Sequence, residues 1–174
     1  MDLVLDLDGT LIAQFPKNHE ERESILPRPH VKEFLSFCFA NFRVSVWTAA
    51  SERWGRKVTR KLGMHRKLHR LHCGARILRT RSTQYVVKEL RTRFGLRHTV
   101  IVDDNADTYA LNQDSAVPIS TFEGMDGDTE LLEVRTKLER LVQTYHATPP
   151  AERDVRSIIK GGLAGGLAAP TGDP

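Results

Sequence analysis

The sequence predicts an α/β fold built on a doubly wound parallel sheet. Three short apolar runs, at residues 3–7, 42–48 and 98–102, contain β-branched residues and end in polar residues, which is typical of buried strands. Segments with apolar residues at helical spacing follow each of the first two runs. Because strands that alternate with helices form parallel sheets, we expect the carboxyl ends of these strands to share one edge.

The first predicted strand ends in two carboxylates, Asp6 and Asp8, followed by a turn at Gly9. Carboxylates this close repel each other, and a divalent cation or a shared proton relieves the repulsion. The pattern therefore predicts a metal-assisted catalytic pair. Taken alone, it fits two turn-forming aspartates equally well.

The next elements follow in order along the chain. Residues 13–24 are polar, include Pro16 and predict a loop, and residues 30–40 have the apolar spacing of an amphipathic helix. Ser51 is a suitable N-cap for a helix over 52–62. Residues 63–83 are rich in His and Arg and weakly periodic, so we interpret them as an insertion of short strands or loop.

The remaining elements complete the alternation. Residues 85–94 predict a helix that carries Lys88, and the third strand stops at Asp103 and Asp104. A further strand at 116–119, a long amphipathic helix at 130–145 and a short helix at 155–159 follow. The Gly-rich stretch 161–174 is of low complexity and is predicted to be disordered.

Length and composition limit the class of protein. With 174 residues, 40% of them hydrophobic and 28% charged, the chain fits one globular domain, at residues 1–160. No apolar run reaches the ~18–20 residues of a membrane span, and we expect no leader peptide. Cys38 and Cys73 lie in unlike contexts, which favours a reducing compartment, the nucleus or the cytoplasm.

The positive charge is concentrated in residues 53–97. This segment holds 15 of the 26 Lys and Arg residues and one acid, Glu89. Such a block predicts an anionic partner, a phosphorylated protein or a nucleic acid, although a solvated surface explains it as well. The arginines of the insertion are suited to neighbouring phosphates on a multiply phosphorylated substrate: Arg66, Arg70, Arg76, Arg79 and Arg81. A zinc site among His65, His69, His72 and Cys73 lacks a second ligand pair at zinc-finger spacing.

The strand ends supply a set of groups that suits phosphate chemistry. Parallel strands bring Asp6, Asp8, Thr48 and the acids at 103–104 to one edge, and Lys88 adds a cation. A metal ion and a lysine offset charge on phosphoryl oxygens while a carboxylate attacks phosphorus.

In their order along the chain, DLDGTL, WTAAS, the downstream Lys88 and VIVDDN resemble the four motifs of the haloacid dehalogenase superfamily, whose fold is Rossmann-like. More narrowly, LPRPHVKEFLSF, YVVKEL, SAVPISTF and DTELLEV resemble the small C-terminal-domain phosphatases, the NLI-interacting-factor-like family. The resemblance runs from about residue 3 to about residue 159. It implies dephosphorylation of phosphoserine or phosphothreonine in proteins, among them the C-terminal domain of RNA polymerase II.

The resemblance also implies roles for individual residues. Asp6 matches the nucleophile that forms an aspartyl-phosphate, and Asp8 the group that protonates the leaving oxygen and then activates water. Thr48 and Lys88 match the groups that bind the substrate phosphate. Mg²⁺ would be held by the Asp6 carboxylate, the Asp8 backbone carbonyl, Asp104 and waters.

Two further residues have supporting roles in this interpretation. Asp103 orients the neighbouring ligand or Lys88, and Thr10 supports the first loop through its hydroxyl. The chain departs from the usual family pattern at Gly9, where Glu is common, and at Asp104, where Asn is frequent. The connection 13–26 is shorter and more polar than the family segment that helps to recognise a proline near the phosphoserine.

These observations predict an Mg²⁺-dependent protein phosphatase with one cofactor, Mg²⁺, and no membrane association. A polynucleotide 3′-phosphatase of the same superfamily fits the basic segment equally well, although the sequence has no kinase P-loop. A catalytically silent binding module is the third possibility, and the intact Asp6, Asp8, Thr48, Lys88 and Asp104 argue against it.

Overall fold

The computed structural model of the chain describes residues 1–13, 25–79 and 84–162. Its seven strands are β1 (Asp2–Leu5), β2 (Arg43–Thr48), β3 (Arg70–Cys73), β4 (Arg76–Arg79), β5 (Gln84–Val87), β6 (Thr99–Asp103) and β7 (Ala116–Pro118). Its four α-helices are α1 (Val31–Asn41), α2 (Glu52–Lys61), α3 (Glu130–Ala147) and α4 (Val155–Lys160). Short 3₁₀ segments at Leu90–Thr92, Leu96–His98, Ala110–Ser115 and Pro150–Glu152 complete the described chain.

Five strands form one parallel sheet in the order β3-β2-β1-β6-β7. In this register Leu5 lies opposite Val46 on one side and Val102 on the other, so β1, β2 and β6 end within two residues of one another at the same edge. The predicted parallel α/β fold and the common edge of the strand ends are confirmed.

Alternate residues of each central strand face opposite sides of the sheet. Leu3 and Leu5 join a large apolar cluster to which all four α-helices contribute, whereas Val4 joins a smaller cluster with Trp47, Leu90 and others. The smaller cluster is covered by 3₁₀ segments rather than α-helices. The central strands are therefore buried on both faces, as expected of a parallel sheet.

The predicted insertion at 63–83 consists of two different structures. Its first part contains β3, which pairs with β2 as an edge strand of the main sheet. Its second part begins an antiparallel hairpin of β4 and β5 that extends to Val87. The short strands expected here are present, and one of them belongs to the main sheet.

The helix predicted over 85–94 is wrong. Val86 and Val87 belong to β5, because β-branched residues favour a strand when a partner strand such as β4 lies alongside. Only a single 3₁₀ turn, Leu90–Thr92, follows. The spacing of Val87 and Leu90, both buried, imitates a helical face although the two lie on different elements. Lys88 therefore follows a strand instead of lying on a helix.

The other predicted elements lie within a residue or two of their expected bounds, and Ser51 caps α2 by accepting a hydrogen bond from the Trp54 N–H at 3.3 Å. Most of the predicted loop at 13–24 and most of the tail at 161–174 lie outside the described residues, as does Arg81. Within the described ranges, no helix has both the length and the apolar character needed to cross a lipid bilayer.

Candidate active site

A cavity of about 340 Å³ opens at the carboxyl edge of the sheet. The predicted residues from β1, β2 and β6 line it together with residues of the loops that follow: Asp6, Asp8, Thr48, Lys88, Asp103, Asp104 and Thr121. The six predicted side chains among these seven come from four separate segments of the sequence and meet in one place, as the strand-end argument predicts.

Lys88 lies between two carboxylates at the base of the cavity. Its ammonium Nζ donates to Asp6 Oδ1 at 2.5 Å and to Asp103 Oδ2 at 2.6 Å. The lysine and both aspartates are almost fully buried. A buried ammonium requires such partners, because an isolated charge in the protein interior is strongly unfavourable.

The backbone around Lys88 fixes this position although no helix does. The Lys88 N–H donates to the Thr108 carbonyl at 2.6 Å, and its carbonyl accepts from the side chain of Asn112. The Asn112 side chain also accepts from the Leu90 N–H at 3.0 Å. Asn112 is a residue that the sequence analysis missed, since a single Asn in a loop carries no recognisable signal.

Burial and crowding raise the pKa of Asp6 to about 8: desolvation is the largest cause, and the charges of Asp103 and Asp104 add to it while Lys88 opposes it. Burial alone would lower the pKa of Lys88, but Asp6 and Asp103 raise it above its ordinary value. Three acids therefore surround a single lysine, and a bound cation would offset the excess of negative charge.

Asp8 is held by two donors on the opposite side of the cavity. The indole N–H of Trp54 donates to Asp8 Oδ1 at 2.7 Å, and Thr48 Oγ1 donates to Oδ2 at 3.3 Å. Burial raises the pKa of Asp8, while these two hydrogen bonds oppose the rise. A carboxyl group with a raised pKa is suited to proton transfer near neutral pH.

Trp54 was not identified from the sequence. It lies in the first turn of α2, three residues after the N-cap Ser51, and this turn begins directly beyond the carboxyl end of β2. A Trp so close to the strand-end motif WTAAS is the sequence feature that could have indicated a role in the site.

Asp104 is held by two threonine hydroxyls. Thr10 Oγ1 donates to its Oδ1 at 2.9 Å and Thr121 Oγ1 to its Oδ2 at 2.8 Å. Burial raises the pKa of Asp104, and both hydrogen bonds oppose this. Gly9 lies directly beside it with a φ of +83°, and a Cβ at this position would overlap the Asp104 carboxylate.

Three of these carboxylates form a group with metal-ligand spacing. One carboxylate oxygen of each of Asp6, Asp103 and Asp104 lies within 4.8 Å of the other two. Within the described ranges, no other group of three His, Cys or acidic residues has this spacing. Oxygen ligands of this kind suit Mg²⁺. The Asp8 carboxylate lies outside the group, which leaves its backbone carbonyl as the predicted ligand.

Arg28 holds the loop that follows β1, and its role was not predicted from the sequence. It is 1% exposed, its guanidinium pairs with both oxygens of Asp128 at 2.8 and 2.7 Å, and it donates to the Gly9 and Thr10 carbonyls at 3.3 and 3.2 Å. A fully buried arginine between two prolines is hard to distinguish in sequence from a surface one.

The comparisons with known proteins agree with this geometry. A family model described as NLI interacting factor-like phosphatase matches residues 1–148. CTD small phosphatase-like protein 1 of Caenorhabditis elegans is 29% identical over 154 residues, which cover 80% of this chain and 31% of that protein. CTD small phosphatase-like protein 3 of the same organism is 30% identical over 179 residues, with 91% and 58% covered. The chain thus spans about a third to three fifths of the length of these curated relatives.

Solved structures share the fold at low sequence identity. An RNA polymerase II CTD phosphatase of fission yeast, Fcp1 bound to beryllium fluoride, superimposes with a TM-score of 0.74 at 13% identity, covering 99% of this chain and 76% of that chain. A haloacid dehalogenase-like hydrolase of Streptococcus pneumoniae has a TM-score of 0.50 at 11% identity, covering 76% and 90%. The fold is therefore the haloacid dehalogenase-like α/β fold.

Proposed function

Because the chain belongs to the NLI interacting factor-like phosphatase family, we propose that it is an Mg²⁺-dependent phosphatase acting on phosphoserine or phosphothreonine in proteins. One observation carries the proposal: Asp6 and Asp8 line the same cavity, with Lys88 bonded to the first and an indole donor bonded to the second. This arrangement supports the roles that we assign to the three residues: nucleophile for Asp6, proton carrier for Asp8 and phosphate-binding cation for Lys88.

In the proposed reaction, an Asp6 oxygen attacks phosphorus and the bond to the seryl oxygen breaks. Asp8 gives its proton to that oxygen, leaving an aspartyl-phosphate on Asp6. Asp8 then takes a proton from water, the water oxygen attacks phosphorus, and inorganic phosphate leaves with Asp6 restored. Lys88 and the Thr48 hydroxyl bind the phosphoryl oxygens throughout.

The Asp6 carboxylate, the Asp8 carbonyl and Asp104 would hold Mg²⁺. When bound, the ion offsets the negative charge that carboxylates and phosphate bring together. Asp103 keeps Lys88 in place, and Thr10 and Thr121 keep Asp104 in place, so these three residues support the site through their hydrogen bonds.

The relatives support a substrate class. The C. elegans relatives and the fission yeast structure are named as CTD phosphatases, so the phosphorylated C-terminal domain of RNA polymerase II is the first substrate to test. We assign the phosphatase domain to residues 1–160, because Val155 of α4 is buried in the large cluster. For the protein itself we propose a nuclear or cytoplasmic location, in keeping with its two unpaired cysteines.

The experiment compares three substrates with Mg²⁺ and with EDTA: an aryl phosphate, a phosphoserine peptide with the polymerase tail sequence, and a 3′-phosphorylated oligonucleotide. We expect Mg²⁺-dependent hydrolysis of the first two. A higher kcat/KM for the oligonucleotide would replace the protein substrate with a nucleic acid, and no hydrolysis of any substrate would indicate a binding module.

The mechanism is tested by Asp6→Asn, which keeps the side-chain shape and removes the nucleophile. We expect a loss of at least about a thousandfold in kcat. The control is Asp107→Asn, because Asp107 is an exposed acid at the same edge of the sheet. Activity that survives in Asp6→Asn would exclude the aspartyl-phosphate route.

A further inference from the structure

A groove runs beside the edge strand β3, on the sheet face that carries the smaller apolar cluster. It consists of two adjoining hollows of about 520 and 410 Å³. The first contains Arg70 and the second contains Trp47 and Gly74, while Thr92 and Arg93 line both. We call this surface the β3 groove.

The β3 groove leads toward the candidate active site. Arg70 lies opposite Ser45 at the start of β3, and Cys73 lies opposite Thr48, which lines the catalytic cavity. At ~3.3 Å per residue, about 10 Å separates these two levels, the length of three extended residues. A peptide that leaves the cavity along β3 would therefore reach Arg70 no sooner than about three positions from the phosphoserine.

The acids of the groove are already paired with other arginines. Asp2 accepts two hydrogen bonds from Arg43, at 2.5 and 2.8 Å. Glu89 accepts from Arg76 at 3.1 Å and from Arg91. These two carboxylates are thus neutralised and do not compensate the other cations of the groove.

Arg70 and Arg93 have no carboxylate partner among the residues that the structure describes, and both are exposed. The guanidinium of Arg93 lies over the Trp47 ring, 5.0 Å from its centroid, and the indole of Trp47 donates to the Gly74 carbonyl at 2.8 Å. Arg93 is thereby held in a defined place before any ligand arrives.

His72 lies close enough to Arg70 and Arg93 for both charges to affect its pKa. Burial lowers the pKa of His72, and the charges of Arg93 and Arg70 lower it further. The imidazole also contacts Trp47 and Phe94, with ring centroids 5.7 and 5.6 Å apart. It is therefore a neutral part of the groove wall, and the positive charge of the groove comes from Arg70 and Arg93.

We propose that the β3 groove binds an acidic segment of the protein substrate, whose carboxylate or phosphate groups pair with Arg70 and Arg93. The identity of the occupant rests on the proposed function, because the groove residue Cys73 lies opposite Thr48 of the catalytic cavity. Two exposed cations without acidic partners on one wall provide the charge complementarity.

The test uses two phosphoserine peptides of equal length. One carries Glu at positions four to eight from the phosphoserine on both sides, and the other carries Gln at the same positions. We expect the unmodified protein to favour the Glu peptide about tenfold in kcat/KM, mainly through a lower KM. This ratio assumes two exposed ion pairs that contribute about threefold each. The variant R70Q/R93Q should show a preference below about twofold.

Matched controls distinguish an effect of the β3 groove from an effect of the protein's net charge. The variant K32Q/R60Q removes two exposed charges from helices on the other sheet face, and we expect it to keep the preference. The single variant R70Q disturbs no stacked ring. Its preference for the Glu peptide in kcat/KM should be about threefold smaller than that of the unmodified protein. All these variants should hydrolyse an aryl phosphate as the unmodified protein does. A preference that persists in R70Q/R93Q, or that K32Q/R60Q also loses, would overturn the proposal.

A binding measurement tests the β3 groove independently of catalytic turnover. Fluorescence anisotropy with a labelled acidic peptide that lacks phosphoserine needs no turnover, and we expect R70Q/R93Q to weaken binding about tenfold. Failure of aryl phosphate hydrolysis would refute the proposed function alone, whereas unchanged anisotropy would refute the groove. Tighter binding of a labelled single-stranded oligonucleotide, lost in R70Q/R93Q, would replace the acidic peptide as occupant.

Discussion

The indole N–H of Trp54 donates to Asp8 Oδ1 at 2.7 Å, which links the first turn of α2 to the second aspartate of the opening motif, 46 residues earlier. The hydrogen bond fixes the orientation of the carboxylate and stabilises its ionised form. Since burial acts in the opposite direction, the proton affinity of Asp8 depends on whether this donor is present.

We expect Trp54→Phe to lower kcat on a phosphoserine peptide about tenfold, because Asp8 loses its orientation. Loss of a donor to the ionised form raises the pKa of Asp8 further, and the leaving seryl oxygen requires protonated Asp8. The alkaline limb of the kcat/KM profile should therefore move to higher pH. In an Asp8→Asn background, Trp54→Phe should have no further effect, and an equal loss there would show that Trp54 acts elsewhere.

Mg²⁺ binding should release a proton. Burial and the neighbouring acids raise the pKa of Asp6 to about 8, so the metal-free site is mostly protonated at pH 7 and mostly ionised at pH 9. We expect release of about one proton per Mg²⁺ at pH 7 and little at pH 9, with affinity falling as pH falls below about 8. Titration calorimetry in buffers of different ionisation enthalpy measures this, and equal release at both pH values would contradict it.

Gly9→Ala should disturb both the fold and metal binding. The residue has a φ of +83°, and its new methyl group would overlap the Asp104 carboxylate. The control is Gly63→Ala, where φ is +70° and no atom lies within 4 Å of the added Cβ. We expect Gly63→Ala to cost about 1 kcal/mol of unfolding free energy and Gly9→Ala roughly twice as much or more, with weaker Mg²⁺ binding. Urea unfolding gives the first quantity, and equal losses would show that the contact with Asp104 is unimportant.

Arg28→Met should be among the most destabilising single changes. It leaves Asp128 and two loop carbonyls without their buried donor, for which we expect a loss of about 3–5 kcal/mol. Arg56→Met is the surface control, because Arg56 pairs with Glu52 one helical turn away and both are exposed. That change should cost less than about 1 kcal/mol. Similar losses in the two variants would refute the role of Arg28.

The sequence was sufficient to predict the parallel sheet and the meeting of its strand ends, because burial on both faces leaves continuous apolar runs and strand direction fixes which ends meet. It was insufficient for the segment around Lys88. There the apolar spacing of Val87 and Leu90 arises from a strand and a following turn, and only the partner strand β4 distinguishes them from a helix.

The supporting residues of the site were harder to predict than its reactive ones. Asp6 and Asp8 stand in a motif, whereas Trp54, Thr121 and Arg28 reach the site through contacts between residues distant in sequence. A single donor of this kind has no spacing pattern, so its role depends on the folded arrangement alone.

The closeness of Gly9 to Asp104 also bears on how such sequences diverge. The Asp104 carboxylate occupies the space that a side chain at position 9 would need. Although the two positions are 95 residues apart, we therefore expect them to change together. A lineage that places a larger residue after the D-x-D pair must also move or replace the acid at position 104. Paired exchange at these positions among relatives is therefore the evolutionary trace that this contact would leave.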